Sequence, residues 1–212
     1  MSSSGRAIHT FANAAEGFAQ AWRNPRHTRV TLPPVDVNKV IAERYRMEKP
    51  THITRGMVWD MELRKSWDPL TYIPYVVSEG KSWGRHGNED GSEHFCRSTI
   101  QRAWIDDRSG RVLEDVYINH QEQRIFFLGR SEMVTEGGER IRSDGFQPLF
   151  HVEHAAAGSD VAPLNMWRIV LLTESEDKRF LAPFEKMIRE GWLPGFLEIY
   201  IARHLGAKLS RR

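Results

Sequence analysis

The run THITRGMVWDMELRKSWDPLTYIP, Thr51 to Pro74, holds a helix start, an apolar face and a stop. Thr54 suits an N-cap, because its hydroxyl can take a backbone N–H left unpaired in the first turn. Met57, Val58 and Met61, with Trp59 and Leu63, recur at helical spacing and make one side apolar. Asp68-Pro69 ends the run, since the residue before proline is pushed away from helical geometry. Tyr72 to Val77 then turns aromatic and β-branched, which reads as a turn into a strand.

Beyond this run, Gly80 to Gly91 (GKSWGRHGNEDG) is glycine-rich and polar and reads as a long hairpin loop. It lacks the G-x-x-x-x-G-K-[ST] order of a phosphate loop. Strands follow at Glu93–Ile105, Arg111–Asn119, Gln123–Leu128, Pro148–Ala155 and Asn165–Thr173. Turn signals separate them at 106–110 and 136–139, and a flexible stretch at 156–160. Short strands so spaced predict an antiparallel meander. Asp177 is a second N-cap, with Phe180, Leu181, Phe184, Met187 and Ile188 in a stripe. Pro194-Gly195 interrupts that helix, and Phe196, Leu197, Tyr200, Ile201, His204 and Leu205 continue its apolar face.

Before Thr51, Val35 to Met47 fits either a short helix or an edge strand. Asn24 to Pro34 holds three prolines and turn formers and reads as a surface linker. Phe11, Ala14, Ala15, Phe18, Ala19 and Trp22 form one stripe of a helix over His9–Trp22. That helix would pack on the body of the domain or on a second subunit, the latter making a homodimer. Glu16 argues against a transit peptide. Met1 to Gly5 is a polar start, expected to be disordered. The predicted organisation is an extension over 1–50, a ligand-binding domain over 51–206 and a basic tail over 207–212.

Composition narrows the function classes. Hydrophobic residues make up 40% of 212 residues and charged ones 27%, as in ordinary globular domains. Lys plus Arg is 30 against 28 for Asp plus Glu, a net +2 that gives no case for nucleic acid or membrane partners. No apolar run approaches the ~20 residues of a membrane span, and no signal-peptide core opens the chain. The expected compartment is cytoplasmic. Cys96 is the single cysteine, so no internal disulfide exists, and it reads as a strand residue rather than a nucleophile.

Helices, then a meander, then a terminal helix is the order of an α+β helix-grip fold, a curved antiparallel sheet wrapped around a long C-terminal helix. The chain resembles the SRPBCC superfamily, which includes START and Bet v 1-like proteins, and more narrowly its AtaL-like group. The resemblance rests on Ile53-Thr54-Arg55, Trp59, Leu63, Lys65, Pro69 and Ile73-Pro74, and on the charged alternating strand Arg111–Val116. It covers Thr51 to Leu205. The 50-residue extension and the Pro194-Gly195 break depart from it. It implies a cavity between sheet and last helix for a bulky aromatic or hydrophobic small molecule, with Thr51–Pro74 as its helical lip. Members include carriers, receptors, aromatase/cyclases, lyases and hydrolases, so fold does not choose the function.

The candidate chemistry is dispersed. In His151-Val152-Glu153-His154, His151 and Glu153 share one strand face and His154 points the other way. If that shared face lines the cavity, His151 and Glu153 serve as acid and base; otherwise they are solvated strand charges. With His120 they would also offer two imidazoles and a carboxylate to zinc. Arg168, in an apolar strand, needs a partner: a ligand oxyanion, or a structural pair with Asp115 or Glu153. Tyr117 is a phenolic donor, Asp115 a base if desolvated. Tyr200 and His204 stand at i, i+4 on the last helix. Trp59, Trp167 and Tyr75 would add aromatic walls.

These residues predict a cofactor-independent acid–base enzyme of lyase, dehydratase or cyclase type, acting on an aromatic or polyketide-like compound. His151 and Glu153 would move protons, and Arg168 and Tyr117 would hold an oxygen. The rival readings are a carrier without chemistry and a metal-dependent hydrolase of carbon–carbon bonds.

Overall fold

The computed structural model describes residues 10–212; Met1–Gly5 and His9 lie outside them. In chain order the first elements are α1 (Phe11–Arg23), β1 (Thr28–Thr31), β2 (Val35–Asp36), α2 (Val37–Arg44) and β3 (Tyr45–Met47). Next come α3 (Arg55–Trp67), α4 (Pro69–Tyr72), β4 (Val77–Gly87), β5 (Glu93–Arg102), β6 (Ser109–Asn119) and β7 (Arg124–Arg130). A small hairpin, β8 (Glu132–Val134) and β9 (Arg140–Arg142), precedes β10 (Phe150–Gly158) and β11 (Pro163–Leu171). The chain closes with α5 (Ala182–Glu190), α6 (Gly195–His204) and β12 (Leu209–Arg211).

The main sheet is antiparallel and runs β1-β11-β10-β7-β6-β5-β4, with β2 also on β11. This is the helix-grip arrangement, an α+β fold. α3 starts as its cap signal says: Thr54 Oγ1 accepts the Met57 N–H at 3.2 Å. It stops at Asp68, whose Oδ1 accepts the Thr71 N–H at 3.1 Å and opens α4 as a separate turn. α3 lies across β10 and β11, and α6 packs on α3. The terminal helix is not one long rod. Gly191, in the left-handed region at φ 64°, ends α5, and Pro194 precedes α6.

Several expectations change. Gly80–Gly91 is mostly strand: β4 reaches Gly87, paired with β5 through two bulges, and the loop proper is 88–92. Its polar residues face solvent because β4 is an edge strand with only Val77 and Trp83 buried. The flexible stretch at 156–160 belongs largely to β10, which pairs with β11 as far as Gly158. Within the proposed linker, Thr28–Thr31 pairs with Arg168–Leu171. The basic tail holds β12, paired with β3. α1 packs on the back of the sheet, where Phe11, Ala14, Phe18 and Ala21 meet Tyr117, Phe126 and Val170. Both faces of the sheet are therefore buried. The inner face meets α3, α5 and α6; the outer face meets α1.

Candidate functional site

The strand register sorts every side chain to a face. Arg97 lies opposite Glu114, Val116 opposite Phe127, Phe127 opposite Val152, and His154 opposite Trp167. Cross-strand partners share a face, so Phe95, Arg97, Thr99 and Gln101 of β5 point inward. They face the same interior as Glu114, Phe127, Val152, His154 and Trp167.

That interior is not filled. A cavity of about 720 Å³ lies between β5–β7, β10 and β11 on one side and α3, α5 and α6 on the other. Aromatic and aliphatic groups make most of its wall, among them Trp104, Phe127, Phe150, Trp167, Phe184 and Phe196. Tyr75, at 53% exposure, and the turn at 103–107 stand on the same lining. Lys65, Arg97, Glu114 and His154 are the buried charged or titratable groups among its residues, and each is at most 6% exposed.

Two ion pairs hold this polar wall. Arg97 donates Nε and Nη2 to Glu114 Oε2 at 2.9 and 2.6 Å, and Nη1 to the Ser66 carbonyl at 3.1 Å. Lys65 Nζ sits 2.6 Å from Glu62 Oε2 and 3.0 Å from His154 Nδ1. His154 Nδ1 is also 3.1 Å from Glu62 Oε1, which accepts Asn165 Nδ2–H at 2.7 Å. With Nδ1 engaged, Nε2 is the nitrogen His154 leaves to a ligand. Both cations also lie over rings: Lys65 Nζ is 3.9 Å from the Phe196 centroid and the Arg97 guanidinium 4.5 Å from that of Phe127.

Burial sets the protonation states. It would raise the Glu62 carboxyl, but His154 and Lys65 overcome it and hold Glu62 down at about 2. Burial lowers the Lys65 ammonium to about 8 against the opposing pull of Glu62. Burial also lowers His154, again against Glu62. Near neutral pH the cluster therefore holds one carboxylate, one ammonium close to its titration and one neutral imidazole.

Of the residues given a catalytic or binding role from sequence, Trp167 and Tyr75 line the cavity, as does His154, which the sequence reads only as pointing away from His151 and Glu153. His151 and Glu153 do share a face, but it is the outer one. His151 Nδ1 accepts the Gly129 N–H at 3.1 Å, and Glu153 is clasped by Arg124, with Nε at 3.0 Å, and by Arg168, with Nε at 2.5 Å. Arg168 thus takes the structural pairing with Glu153, beneath the rings of Phe18 and Trp22. Tyr117 is packed under α1, its ring 4.7 Å from that of His94. Asp115 Oδ1 meets His94 Nε2 at 3.0 Å on that same outer face. His120 bonds Glu93 at 2.7 Å, with the Trp59 ring edge-on to it. Tyr200 donates to Asp60 at 2.9 Å in the helix layer.

The zinc set of His151, Glu153 and His120 is not brought together. Among the described residues, the group with ligand atoms close enough is His94, Cys96 and Asp115, within 4.8 Å of one another on the outer face. Burial and Asp115 push the Cys96 thiol up to about 12, far from a reactive thiolate.

The cavity's polar residues had a readable signal. Val58, Met61, Glu62 and Lys65 fall at i, i+3, i+4 and i+7, so two charges sit within the apolar stripe of α3. Arg97 sits between Phe95 and Thr99 at the strand period. The Thr51–Pro74 run, read as a lip without chemistry, supplies the buried Glu62 and Lys65.

No protein-family profile and no curated protein matches this sequence. Solved structures of similar shape include a protein of Thermus thermophilus, at 12% identity and a TM-score of 0.46, covering 84% of this chain and 99% of that one. An aromatase/cyclase from a Streptomyces species aligns at 8% identity and a TM-score of 0.45, over 85% of this chain and 98% of that one. A START superfamily protein from Mycobacterium smegmatis aligns at 10% and 0.38, over 69% and 90%. The narrower AtaL-like resemblance rests on sequence alone: the Thr51–Pro74 residues, the charged strand Arg111–Val116, Asn165–Leu172 and the terminal helix. Among the described residues no helix is long and apolar enough to cross a membrane. The chain has the helix-grip fold of START and Bet v 1-like proteins, and its strand order and register carry that assignment.

Proposed function

We propose that the chain is an acid–base enzyme acting on a bulky, largely apolar aromatic or polyketide-like carbonyl compound, with His154 as the proton-moving group. The observation that carries this is the cavity itself: about 720 Å³ of mostly apolar wall interrupted by Lys65, Arg97, Glu114 and His154. A pocket of that size and polarity suits a small molecule held by a few placed polar groups. The proton-transfer class expected from sequence is kept, and its residues change. His154 is neutral, its Nδ1 is fixed, and Nε2 can take or give a proton at a ligand carbon or oxygen. Dehydration, aldol-type cleavage and cyclisation all need that transfer next to a carbonyl.

A panel of aryl β-hydroxyketones, followed by absorbance and mass spectrometry, tests the reading. The expected result is dehydrated, cleaved or cyclised product, with His154→Gln lowering turnover by ~100-fold while binding persists. Turnover unchanged in that variant overturns the assignment. A carrier is the second reading, favoured by the mutual neutralisation of both ion pairs within the wall. It predicts retained ligand and no product.

A further inference from the structure

We propose that Lys65 is a covalent nucleophile, its Nζ condensing with the carbonyl carbon of an aromatic ketone or aldehyde in the cavity to give an imine. The proposal deepens the functional reading above and rests on it for the site. It stands first on position. Lys65 is 4% exposed, projects from α3 into the cavity lining, and every other lysine of the chain is exposed. The other cation on the wall, Arg97, carries a guanidinium rather than a nucleophilic amine and is occupied by Glu114 and the Ser66 carbonyl.

The surroundings supply the proton traffic. A proton leaving Lys65 Nζ has His154 Nδ1 as its receiver at 3.0 Å. Once there, it has Glu62 Oε1 as an acceptor at 3.1 Å. The freed amine attacks the carbonyl carbon and the C–N bond forms. The carbonyl oxygen takes a proton from the His154 imidazolium, giving a carbinolamine. Its hydroxyl leaves as water with a second proton from nitrogen, and the C=N bond forms. Two of the three ammonium protons depart with the carbonyl oxygen, so an ammonium and a ketone become an iminium and water, without any redox partner. The iminium charge replaces the ammonium charge beside Glu62 Oε2, which lies 2.6 Å from Nζ. Burial holding Lys65 at about 8 makes the free amine accessible near neutral pH. A protonated imine withdraws electrons from the neighbouring carbon, which is what dehydration or aldol cleavage requires.

The test uses the full chain, a naphthaldehyde probe and cyanoborohydride, with intact-mass and peptide mapping. Naphthalenemethanol, which cannot form an imine, measures occupancy of the cavity separately by tryptophan quenching. The expected result is one reduced adduct on Lys65, formed faster than on any exposed lysine and accelerating as pH rises toward about 8. Lys65→Arg should lower labelling at least ~10-fold while the alcohol still binds. Mapping of the wild-type adduct decides the site even if that variant folds poorly. If the alcohol binds but label falls only on exposed lysines, the imine is overturned and the cavity reading stands. If the alcohol does not bind and Lys65 stays unlabelled, both fall.

Discussion

The Glu62–Lys65 pair offers a direct test of the polar wall. At 2.6 Å and an effective dielectric of ~20, its Coulomb attraction is ~6 kcal/mol. Both side chains are nearly sealed from water, at 0% and 4% exposure, so most of that attraction offsets desolvation. Removing one partner leaves the other buried and uncompensated, at a cost of ~3–5 kcal/mol. Glu62→Gln keeps the acceptor that Asn165 uses and removes only the charge; Lys65→Met keeps the buried stem and removes the cation. The double variant removes both charges and should cost far less than the sum of the two. Its main residual loss is a disturbed His154 contact, worth ~1–3 kcal/mol. The cycle should therefore show a coupling of at least ~2 kcal/mol. Urea unfolding followed by tryptophan fluorescence at neutral pH measures all four proteins. Single effects that add to within ~0.5 kcal/mol would mean the pair does not exist as described, and the protonation states built on it would fall.

On the opposite face, Phe18→Ala should destabilise the fold by ~3–5 kcal/mol, since Phe18 is 2% exposed and packs against Phe126 at 5.3 Å and Trp22 at 5.8 Å. Denaturation should register that loss, while affinity for a cavity ligand stays unchanged; a matching loss of affinity would contradict the separation of the two faces. His151 gives a pH signature. Burial lowers its pKa from 6.5 to about 4, so the folded state binds fewer protons than the unfolded one in that window. Its contribution is full above 6.5 and drains away toward about 4, by ~3 kcal/mol in all. His151→Gln should flatten the stability–pH curve there, and an unaltered slope in denaturant titrations would refute the assignment.

The local grammar of the chain was largely readable. Thr54 caps α3, Pro194 divides the terminal helix, and the parity of His151, Glu153 and His154 on β10 is as the strand period dictates. What period alone does not give is which face looks inward. On an ordinary half-exposed sheet, the apolar face answers that question. Here α1 covers the outer face, so Phe126 and Leu128 alternate with Ile125 and Phe127 and both sets are apolar. Glu153 and His154 then look equally misplaced, and the pair with the more familiar acid–base pattern is the one on the wrong side. Glu62 and Lys65 escape notice for a related reason. An i, i+3 carboxylate–ammonium pair on a helix is ordinarily a solvated feature, and only the packing of α3 onto β10 and β11 makes it interior.

The charge balance of the cavity restricts what it can accept. Glu62 and Glu114 answer Lys65 and Arg97 one for one, and His154 is neutral. An anionic ligand must compete with one of those carboxylates for its cation, and breaking a buried pair costs ~3–5 kcal/mol. A cationic ligand meets two cations already placed over the Phe127 and Phe196 rings. A neutral ligand with one carbonyl or phenol oxygen disturbs neither pair. It can bring its rings against Trp104, Phe150 and Trp167 and its oxygen toward His154 Nε2. Neutral aryl ketones and aldehydes fit that description, and they are also the compounds with which the Lys65 amine can condense without any change in the net charge of the site.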